Sequence, residues 1–339
     1  MVQKDLPIKD IPNHQNGGGI ISQNEYLQLF ESMINSLTNL NNSINKLNSN
    51  MQKTQELIVN SHNIILSRIN TIHERTMHYM PKSSLNFSME LVEHCNLNCA
   101  GCDHFSPLAE NKYADFDKTS KYFDRLAELF GEDIKYVQFA GGEPLLHPEI
   151  TKFLIMARKK FPKAPIRVIT NGIKLASMPD EFWEVCKEQN VTIMPTKYPI
   201  SVDYDAMQNK AARYGVKYSY FNNAQFVKTL FKLPIDFEGL QNEHLNFVHC
   251  HRANNCIFLQ NGRLYTCAFA AIIWRFDKYF GTKLFNEESN SIDIFKANST
   301  EEILKFLAKP IPFCRYCKIL NTVFDIPWHQ SKRTIDEWT

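Results

Sequence analysis

Apolar residues recur every seven positions between residues 30 and 72. One position of the heptad holds Phe30, Leu37, Ile44, Met51, Ile58, Ile65 and Ile72. The second position holds Met33, Leu40 and Leu47 before it turns polar at Thr54, Ser61 and Arg68. A stripe of this length predicts a long helix that buries its apolar side against another helix. We therefore predict a coiled-coil helix over 24–82 that pairs as a parallel homodimer, and a lone helix packed on its own chain is the alternative.

After residue 83 the pattern changes to short apolar runs separated by amphipathic segments. The apolar runs predict strands over 86–93, 135–139, 166–169, 191–195 and 216–221. The amphipathic segments predict helices over 119–130, 149–160, 179–189 and 203–214. Strands that alternate with helices indicate βαβ units and a parallel sheet, so the predicted fold class is α/β.

Composition and charge narrow the setting of the protein. The chain has 339 residues and a formal net charge of +2, so charge indicates neither a nucleic-acid partner nor a membrane surface. No segment reaches the ~20 apolar residues of a membrane span. The polar start of the chain lacks the apolar centre of a signal peptide, and a flexible leader is predicted over 1–23. Nine cysteines without a secretory signal favour metal-binding or catalytic thiols in a reducing, cytoplasmic location.

Three cysteines lie close together after the first predicted strand. Cys95, Cys99 and Cys102 have the spacing C-x3-C-x2-C, and no fourth cysteine lies nearby. Structural zinc sites use four protein ligands, and four thiolates normally hold a [4Fe–4S] cluster. Three thiolates on such a cluster would leave one iron open to a small molecule. A zinc knuckle or a group of buried thiols is the alternative.

Polar and glycine-rich loops follow the next three predicted strands. Gly141, Gly142, Glu143 and Pro144 follow the second strand, and the glycines permit a close approach of the main chain to a ligand. The third strand ends in residues 170–172, Thr-Asn-Gly, which alone would suggest an ordinary turn. The fourth ends in residues 196–198, Thr-Lys-Tyr. All these residues follow strand ends, which form the active face of a barrel of parallel strands.

The C-x3-C-x2-C spacing, the Gly-Gly-Glu-Pro loop and the Thr-Asn-Gly turn together resemble the radical S-adenosylmethionine (SAM) superfamily. The resemblance implies a partial (β/α)6 barrel over 83–245, with a [4Fe–4S] cluster held by the three cysteines and SAM chelated by its open iron. It assigns Gly141, Gly142, Glu143 and Pro144 to the methionine amino group of SAM. It assigns Thr170, Asn171 and Thr196 to the ribose side. The aromatic residue frequent before the third cysteine is replaced by Gly101, and Phe105 is the candidate substitute against the adenine.

The same resemblance implies the reaction type. Reductive cleavage of SAM would give methionine and a 5′-deoxyadenosyl radical, which abstracts a hydrogen atom from the substrate. An external donor such as flavodoxin or ferredoxin would supply the electron. Lys197, Tyr198 and His104 are candidates for proton or hydrogen transfer, but no catalytic base is identified.

Five further cysteines lie late in the chain, at Cys250, Cys256, Cys267, Cys314 and Cys317. Asn261-Gly262 between apolar runs predicts a two-residue hairpin that sets Cys256 opposite Cys267. The spacing from Cys250 through Gly262 to Cys267 resembles the SPASM domain and its shortened Twitch form. That resemblance implies one auxiliary [4Fe–4S] cluster in a domain over 246–339. It favours four of the five cysteines, namely Cys250, Cys267, Cys314 and Cys317. The hairpin adds Cys256, so five thiols compete for four places, and a zinc site is the alternative.

Three function hypotheses follow. Residues 95–109 and 326–338 resemble radical SAM proteins from surface-glycan and nucleotide-sugar gene clusters, and the single-cluster Twitch form resembles members that oxidise sugar alcohols or cyclitols. The first hypothesis is therefore a dehydrogenase or epimerase acting on a sugar or cyclitol. The second is a peptide-modifying maturase. The third is a non-catalytic metal-binding scaffold with a coiled coil, although a scaffold does not need the ligand-shaped loops at 140–144 and 170–172.

Overall fold

A computed structural model describes residues 22–221 and 225–339, except for the side chains of residues 74 and 75. The predicted leader over 1–23 lies almost entirely outside these residues. The chain divides into two units at residue 70, and the second runs from Thr71 to Thr339.

The first element is one long helix, α1 (Gln23–Met77). It begins at a capping box, in which Ser22 N–H donates to Glu25 Oε2 (2.8 Å) and Glu25 N–H donates to Ser22 Oγ (3.3 Å). It ends five residues before the predicted boundary because Pro81 follows and cannot continue a helix. The heptad residues Leu37, Ile44 and Met51 are all exposed. The long helix is confirmed, and its pairing stays a prediction.

Five strands form the parallel part of one sheet. They are β1 (Leu85–Val92), β2 (Ile134–Gly141), β3 (Ile166–Thr170), β4 (Val191–Pro195) and β5 (Lys217–Tyr218). They lie in the order β5-β4-β3-β2-β1 with parallel pairing throughout. The connecting helices are α2 (Phe116–Phe130), α3 (Ile150–Lys160), α4 (Asp180–Glu188) and α5 (Tyr204–Tyr214). This alternation confirms the predicted α/β class.

After α1, two element boundaries differ by three residues from those predicted. Helix α2 begins three residues early because Asp115 caps it, accepting Lys118 N–H at 2.8 Å. Strand β5 is shorter than the predicted 216–221. Beyond it, Ser219 N–H still donates to Ile193 O (3.1 Å), and Phe221 N–H donates to Pro195 O (3.0 Å). The chain therefore continues along β4 after regular strand pairing has ended.

The later part of the chain extends the same sheet past β1. After β6 (Thr229–Lys232) and α6 (Glu243–His249) come β7 (Phe258–Gln260), β8 (Arg263–Tyr265) and the short helices α7 (Ala268–Ile272), α8 (Trp274–Phe280) and α9 (Glu287–Asn290). Then follow β9 (Ser291–Asp293), α10 (Thr300–Leu307) and β10 (Val323–Pro327). Strand β7 pairs in parallel with β1, β8 and β9 follow antiparallel, and β10 pairs with β6. A (β/α)6 barrel would add its sixth parallel strand after β5. Among the described residues, the sixth parallel strand is instead β7, which lies beside β1.

The β7–β8 hairpin confirms the predicted turn. Asn261 and Gly262 both have positive φ (51° and 73°), as a type I′ turn requires, and Gln260 pairs with Arg263. The ladder stops at Phe258 and Tyr265. Cys256 precedes it in a turn in which its N–H donates to Arg252 O (2.8 Å). The expected pairing of Cys256 with Cys267 is therefore not part of the ladder.

Two apolar cores support residues 71–339. The first fills the space between the parallel sheet and its helices, where the rings of Phe87, Phe123 and Phe161 meet at 5.2–5.9 Å. The second lies around α7 and α8, and it includes Phe105 and Trp338. Phe105 was the candidate to pack against adenine, but it is fully buried in this core. Among the described helices, none has the length and apolarity needed to cross a membrane.

Candidate functional site

The first three cysteines lie on the loop that leaves β1. Asn98 and Gly101 both have φ of 59°, and these left-handed residues fold the loop back on itself. Phe105 N–H donates to Cys102 O (2.9 Å) and closes the end of the loop. The sequence thus places Cys95, Cys99 and Cys102 at the carboxyl end of the parallel sheet, as predicted.

Hydrogen-bond donors surround two of these sulfurs. Cys95 Sγ accepts from Leu97 N–H at 3.4 Å and from Asn171 Nδ2 at 3.5 Å. Cys99 Sγ accepts from Trp328 Nε1 at 3.3 Å. Donors aimed at sulfur stabilise negative charge there, so these contacts fit thiolates that hold a metal cluster.

Burial acts against ionisation of the same thiols. It raises the pKa of Cys99 to about 11 and the pKa of Cys102 to about 12. It also raises the pKa of Cys95. A bound cation reverses this preference because a coordinating thiol loses its proton outright. Neighbouring thiols of this group also raise the pKa of Cys99 and Cys102, so the three lie close together at this end of the sheet.

The Gly-Gly-Glu-Pro loop leaves β2 beside the cysteine loop. Gly142 N–H donates to Val92 O (2.9 Å), and Glu143 N–H donates to His94 O (3.0 Å). A Cβ at Gly142 would lie 1.8 Å from His94 O, so a side chain here would collide with the main chain. Glycine is therefore required at position 142 because the Gly-Gly-Glu-Pro loop packs closely against the cysteine loop.

Glu143 is fully buried between β2 and β3. Its carboxylate accepts from Thr170 Oγ1 (2.6 Å), Asn171 N–H (2.8 Å) and Leu145 N–H (3.1 Å). Burial raises the pKa of Glu143 to about 7, although these hydrogen bonds lower it. A buried carboxylate held in this way is suited to receive a cationic group.

The Thr-Asn-Gly turn joins the two loops. Asn171 Nδ2 donates to Asn96 Oδ1 (2.7 Å) as well as to Cys95 Sγ. Thr196 contributes through its main chain, where its N–H donates to Thr170 O (2.9 Å). Asn171 and Thr170 therefore connect Glu143 to the cysteine loop by direct hydrogen bonds.

Four of the late cysteines are brought together in a second site. Cys250 caps the end of α6, Cys267 precedes α7, and Cys314 and Cys317 lie at a short 3-10 turn. Burial raises the pKa of Cys314 to about 12 and that of Cys317 well above its usual value. Neighbouring thiols of Cys250, Cys267 and Cys314 raise the pKa of Cys317 further.

The fifth late cysteine, Cys256, is exposed and lies beside Arg252 and Cys250. Asn246 supports the second site from α6, because its Nδ2 donates to Cys314 O (2.7 Å) and to Cys317 O. In the part of the chain that the structure describes, no group of three His, Cys, Asp or Glu side chains is arranged to hold a single metal ion.

Comparison with known proteins relates one segment of the chain to a known family. The family model of the Radical SAM superfamily matches residues 89–233, which include the cysteine loop, Glu143 and Asn171. The match covers less than half of the chain. It makes this segment similar to enzymes that use a [4Fe–4S] cluster and SAM.

Two curated relatives match short segments of the chain. The GTP 3′,8-cyclase of Chlorobaculum tepidum is 33% identical over 81 residues, which are 24% of this chain and 24% of that protein. Molybdenum cofactor biosynthesis protein 1 of Bos taurus is 32% identical over 91 residues, which are 26% of this chain and 14% of that protein. The chain thus spans a quarter or less of the length of these relatives.

Solved structures match more of the chain at lower identity. BtrN in complex with AdoMet and 2-DOIA is 15% identical with a TM-score of 0.46, over 70% of this chain and 94% of that one. Native anSMEcpe with bound AdoMet is 12% identical with a TM-score of 0.42, over 69% of this chain and 83% of that one.

The three candidates for proton or hydrogen transfer near the cysteine loop have different surroundings. Burial raises the pKa of Tyr198 well above its usual value, and the thiols of Cys99 and Cys102 raise it further. The Tyr198 hydroxyl therefore keeps its proton beside the cysteine loop. Lys197 Nζ lies 4.2 Å from the centre of the Tyr220 ring. His104 Nδ1 lies 2.9 Å from Glu90 Oε1.

Two ion pairs near the cysteine loop were not predicted from the sequence. Arg275 lies almost fully buried and bonds both carboxylate oxygens of Glu90 on β1. Asp103, directly after the third cysteine, pairs with Arg252. Arg252 lies two residues after Cys250, so this pair connects the two cysteine sites. For the pair of Asp103 and Arg252, the only indication in the sequence was that Asp103 directly follows a cysteine.

Ionisation of Glu143 is expected to cost stability. Because the pKa of Glu143 is raised, the folded state favours the protonated carboxyl group. The contribution of this group to the free energy of unfolding is fully present below the ordinary carboxyl pKa and is lost as pH rises through about 7. We expect the free energy of unfolding of Glu143→Gln, relative to the unchanged protein, to increase by about 3 kcal/mol between about pH 5 and pH 8. Denaturant titration of both metal-free proteins measures this difference, and a difference independent of pH would contradict the burial argument.

Proposed function

We propose that the protein is a radical SAM enzyme that abstracts hydrogen from a sugar or cyclitol, in a dehydrogenase or epimerase reaction. The observation that carries the proposal is the hydrogen-bonded chain from Glu143 through Asn171 to Cys95. It brings three motifs from separate strand ends into one site that offers a buried carboxylate next to three thiols.

Each motif has a role in the proposed site. Cys95, Cys99 and Cys102 would hold the [4Fe–4S] cluster. Glu143, with Gly141, Gly142 and Pro144, would position the amino group of SAM, while Thr170, Asn171 and Thr196 would lie on its ribose side. When bound, the cluster and SAM would supply the reductive cleavage to a 5′-deoxyadenosyl radical. Tyr198, which keeps its hydroxyl proton beside the cysteine loop, is the candidate hydrogen donor for an epimerase outcome.

For the late cysteines, we propose Cys250, Cys267, Cys314 and Cys317 as the ligands of one auxiliary [4Fe–4S] cluster. Their shared burial and mutual influence on pKa support this set. Cys256 is exposed and precedes the β7 ladder, so we place it outside the ligand set. The cluster would accept the second electron in an oxidation.

Unpartnered buried polar atoms around the cysteine loop support a hydroxyl-rich substrate. His94 Nδ1 and Ser106 Oγ are buried without a hydrogen-bond partner, whereas Glu93 Oε2 and Arg275 Nε lie 3.8 Å apart as an ion pair. Buried polar groups normally have such partners, and the hydroxyl groups of a sugar or cyclitol both donate and accept. A peptide offers fewer such groups per unit of surface and is the alternative substrate.

Deuterium transfer tests the substrate class. Protein reconstituted anaerobically with iron and sulfide is given dithionite and SAM, together with either carbon-deuterated peptides or a panel of carbon-deuterated sugars and cyclitols. The proposal expects deuterium from one of them in 5′-deoxyadenosine, measured by mass spectrometry. Transfer only from a peptide would favour a maturase, and an iron-loaded protein that never cleaves SAM would favour a scaffold.

We also propose that α1 pairs with α1 of a second copy. Its heptad residues are exposed, with Leu37 58%, Ile44 46% and Met51 68% accessible, and a second identical helix is the partner that a parallel heptad stripe fits. The enzyme would then be a cytoplasmic homodimer that takes electrons from an external flavodoxin or ferredoxin.

Charge in the heptad seam tests the dimer. In the full chain, Ile44→Glu should convert the dimer to monomer, because it buries two carboxylates at the same level of a parallel pair. Asn42→Glu adds the same charge outside the seam and should leave the dimer intact. Light scattering over a range of concentrations measures both masses, and an unchanged protein of monomer mass would contradict the proposal.

A further inference from the structure

A segment from the end of the chain crosses the cysteine loop. Ala100 N–H donates to His329 O (3.0 Å), and Ser331 N–H donates to Asn98 O (2.7 Å). Cys99 itself forms an isolated antiparallel bridge with Gln330. Residues 328–338, here called the covering segment, therefore pair with the main chain that carries the second cysteine.

Packing at both ends fixes the covering segment in place. Before it, β10 pairs with β6, and Trp328 N–H donates to Lys228 O (3.0 Å). At its far end Trp338 is 2% exposed, and its ring lies 5.9 Å from that of Phe105 in the second core. Trp338 Nε1 donates to Cys102 O (3.1 Å), a main-chain oxygen of the same loop.

Between these anchors, Trp328 directs its indole N–H at a sulfur. Its Nε1 lies 3.3 Å from Cys99 Sγ, and its ring lies 6.4 Å from that of Tyr198. The indole of Trp328 therefore contacts both the second cysteine and Tyr198, and its N–H points at the sulfur.

We propose that Trp328 is a positioning residue that raises the reduction potential of the cluster held by Cys99. The inference rests on the proposed function, because it requires a cluster at the three cysteines. Reduction adds one electron and thus negative charge, and an N–H donor at a ligand sulfur stabilises the reduced state more than the oxidised state. Removing the donor makes the cluster harder for the external electron donor to reduce.

The test compares two tryptophans in the full-length, cluster-loaded protein. Trp328→Phe keeps an aromatic ring but removes the N–H at sulfur, while Trp338→Phe removes an N–H that bonds to a main-chain oxygen. Samples are held at one ambient potential without SAM, and electron paramagnetic resonance measures the part of the reduced-cluster signal that SAM shifts in a parallel sample. That signal, relative to its size after full reduction, gives the ratio of reduced to oxidised cluster at the three cysteines. We expect a roughly tenfold lower ratio in Trp328→Phe, equivalent to about 59 mV, and a ratio in Trp338→Phe close to that of the unchanged protein.

Several results would overturn the inference. An unchanged ratio in Trp328→Phe would do so, and so would equal losses in both variants, since these would indicate detachment of the covering segment. If the unchanged protein cleaves SAM while Trp328→Phe keeps its ratio, the inference alone fails. If the unchanged protein binds no redox-active cluster, the proposed function fails and the inference fails with it.

A second measurement keeps the inference testable if Trp328→Phe cannot hold a cluster. Trp338→Phe protein labelled with 15N at the indole nitrogen is reduced and studied by pulsed electron paramagnetic resonance. We expect 15N coupling between Trp328 and the cluster spin. Absence of that coupling in a fully loaded, reduced sample would contradict the Trp328–Cys99 hydrogen bond.

Discussion

Cys99→Ala is expected to abolish the reductive cleavage of SAM. The substitution leaves only the Cys95 and Cys102 thiols on the cysteine loop, so the cluster loses one of its three proposed ligands. Production of 5′-deoxyadenosine should fall to the level of iron-free protein. The measurement is chromatography of anaerobic reactions that contain dithionite, SAM and reconstituted protein.

Cys186→Ala is the matched control for this loss. Cys186 is fully buried in α4 and belongs to neither cysteine site, so the same change removes one sulfur from the core. It should cost about 1 kcal/mol of unfolding free energy and leave SAM cleavage intact. Equal activity of Cys99→Ala and the unchanged protein would refute the assignment of the first site.

Gly142→Ala is expected to damage the same site from the opposite loop. Its Cβ would lie 1.8 Å from His94 O, and only a shift of the main chain can relieve that collision. The hydrogen bonds from Gly142 N–H to Val92 O and from Glu143 N–H to His94 O would then be lost together. We expect SAM cleavage near background and a fall of about 3 kcal/mol in unfolding free energy, measured by denaturant titration.

Gly131→Ala provides the control for the general cost of replacing glycine. Gly131 follows α2 with φ of 52°, and an added Cβ would meet nothing within 4 Å. Alanine there should cost about 1–3 kcal/mol of backbone strain, because φ of 52° with ψ of −117° suits only glycine, and it should leave SAM cleavage unchanged. Equal SAM cleavage and equal unfolding free energy in Gly142→Ala and Gly131→Ala would show that the close contact of the two loops is not needed for activity or stability.

Local patterns predicted the elements and motifs that depend on neighbouring residues. The heptad from Phe30 to Ile72 predicted α1, alternating patterns predicted the β1–β4 strands and their helices, and Asn261-Gly262 predicted the hairpin turn. Strand ends are local too, which is why Cys95, Glu143 and Asn171 could be expected at one edge of the sheet before their contacts were known.

Contacts between distant residues could not be predicted in this way. Trp328 meets Cys99 from 229 positions away, and Arg275 meets Glu90 from 185. Tryptophan near the end of a chain and arginine in a short helix carry no local signal for such contacts. The pairing of β7 with β1 was missed for the same reason, since a three-residue strand does not indicate its neighbour in a sheet.

The central claim is that three thiolates leave one iron open for SAM. Electron–nuclear double resonance of the reduced cluster, with SAM labelled by 15N in its amino group and 17O in its carboxylate, tests that claim most directly. The account predicts hyperfine coupling from both labels in the unchanged protein. A fully reduced [4Fe–4S] cluster that shows neither coupling when SAM is in excess would contradict it.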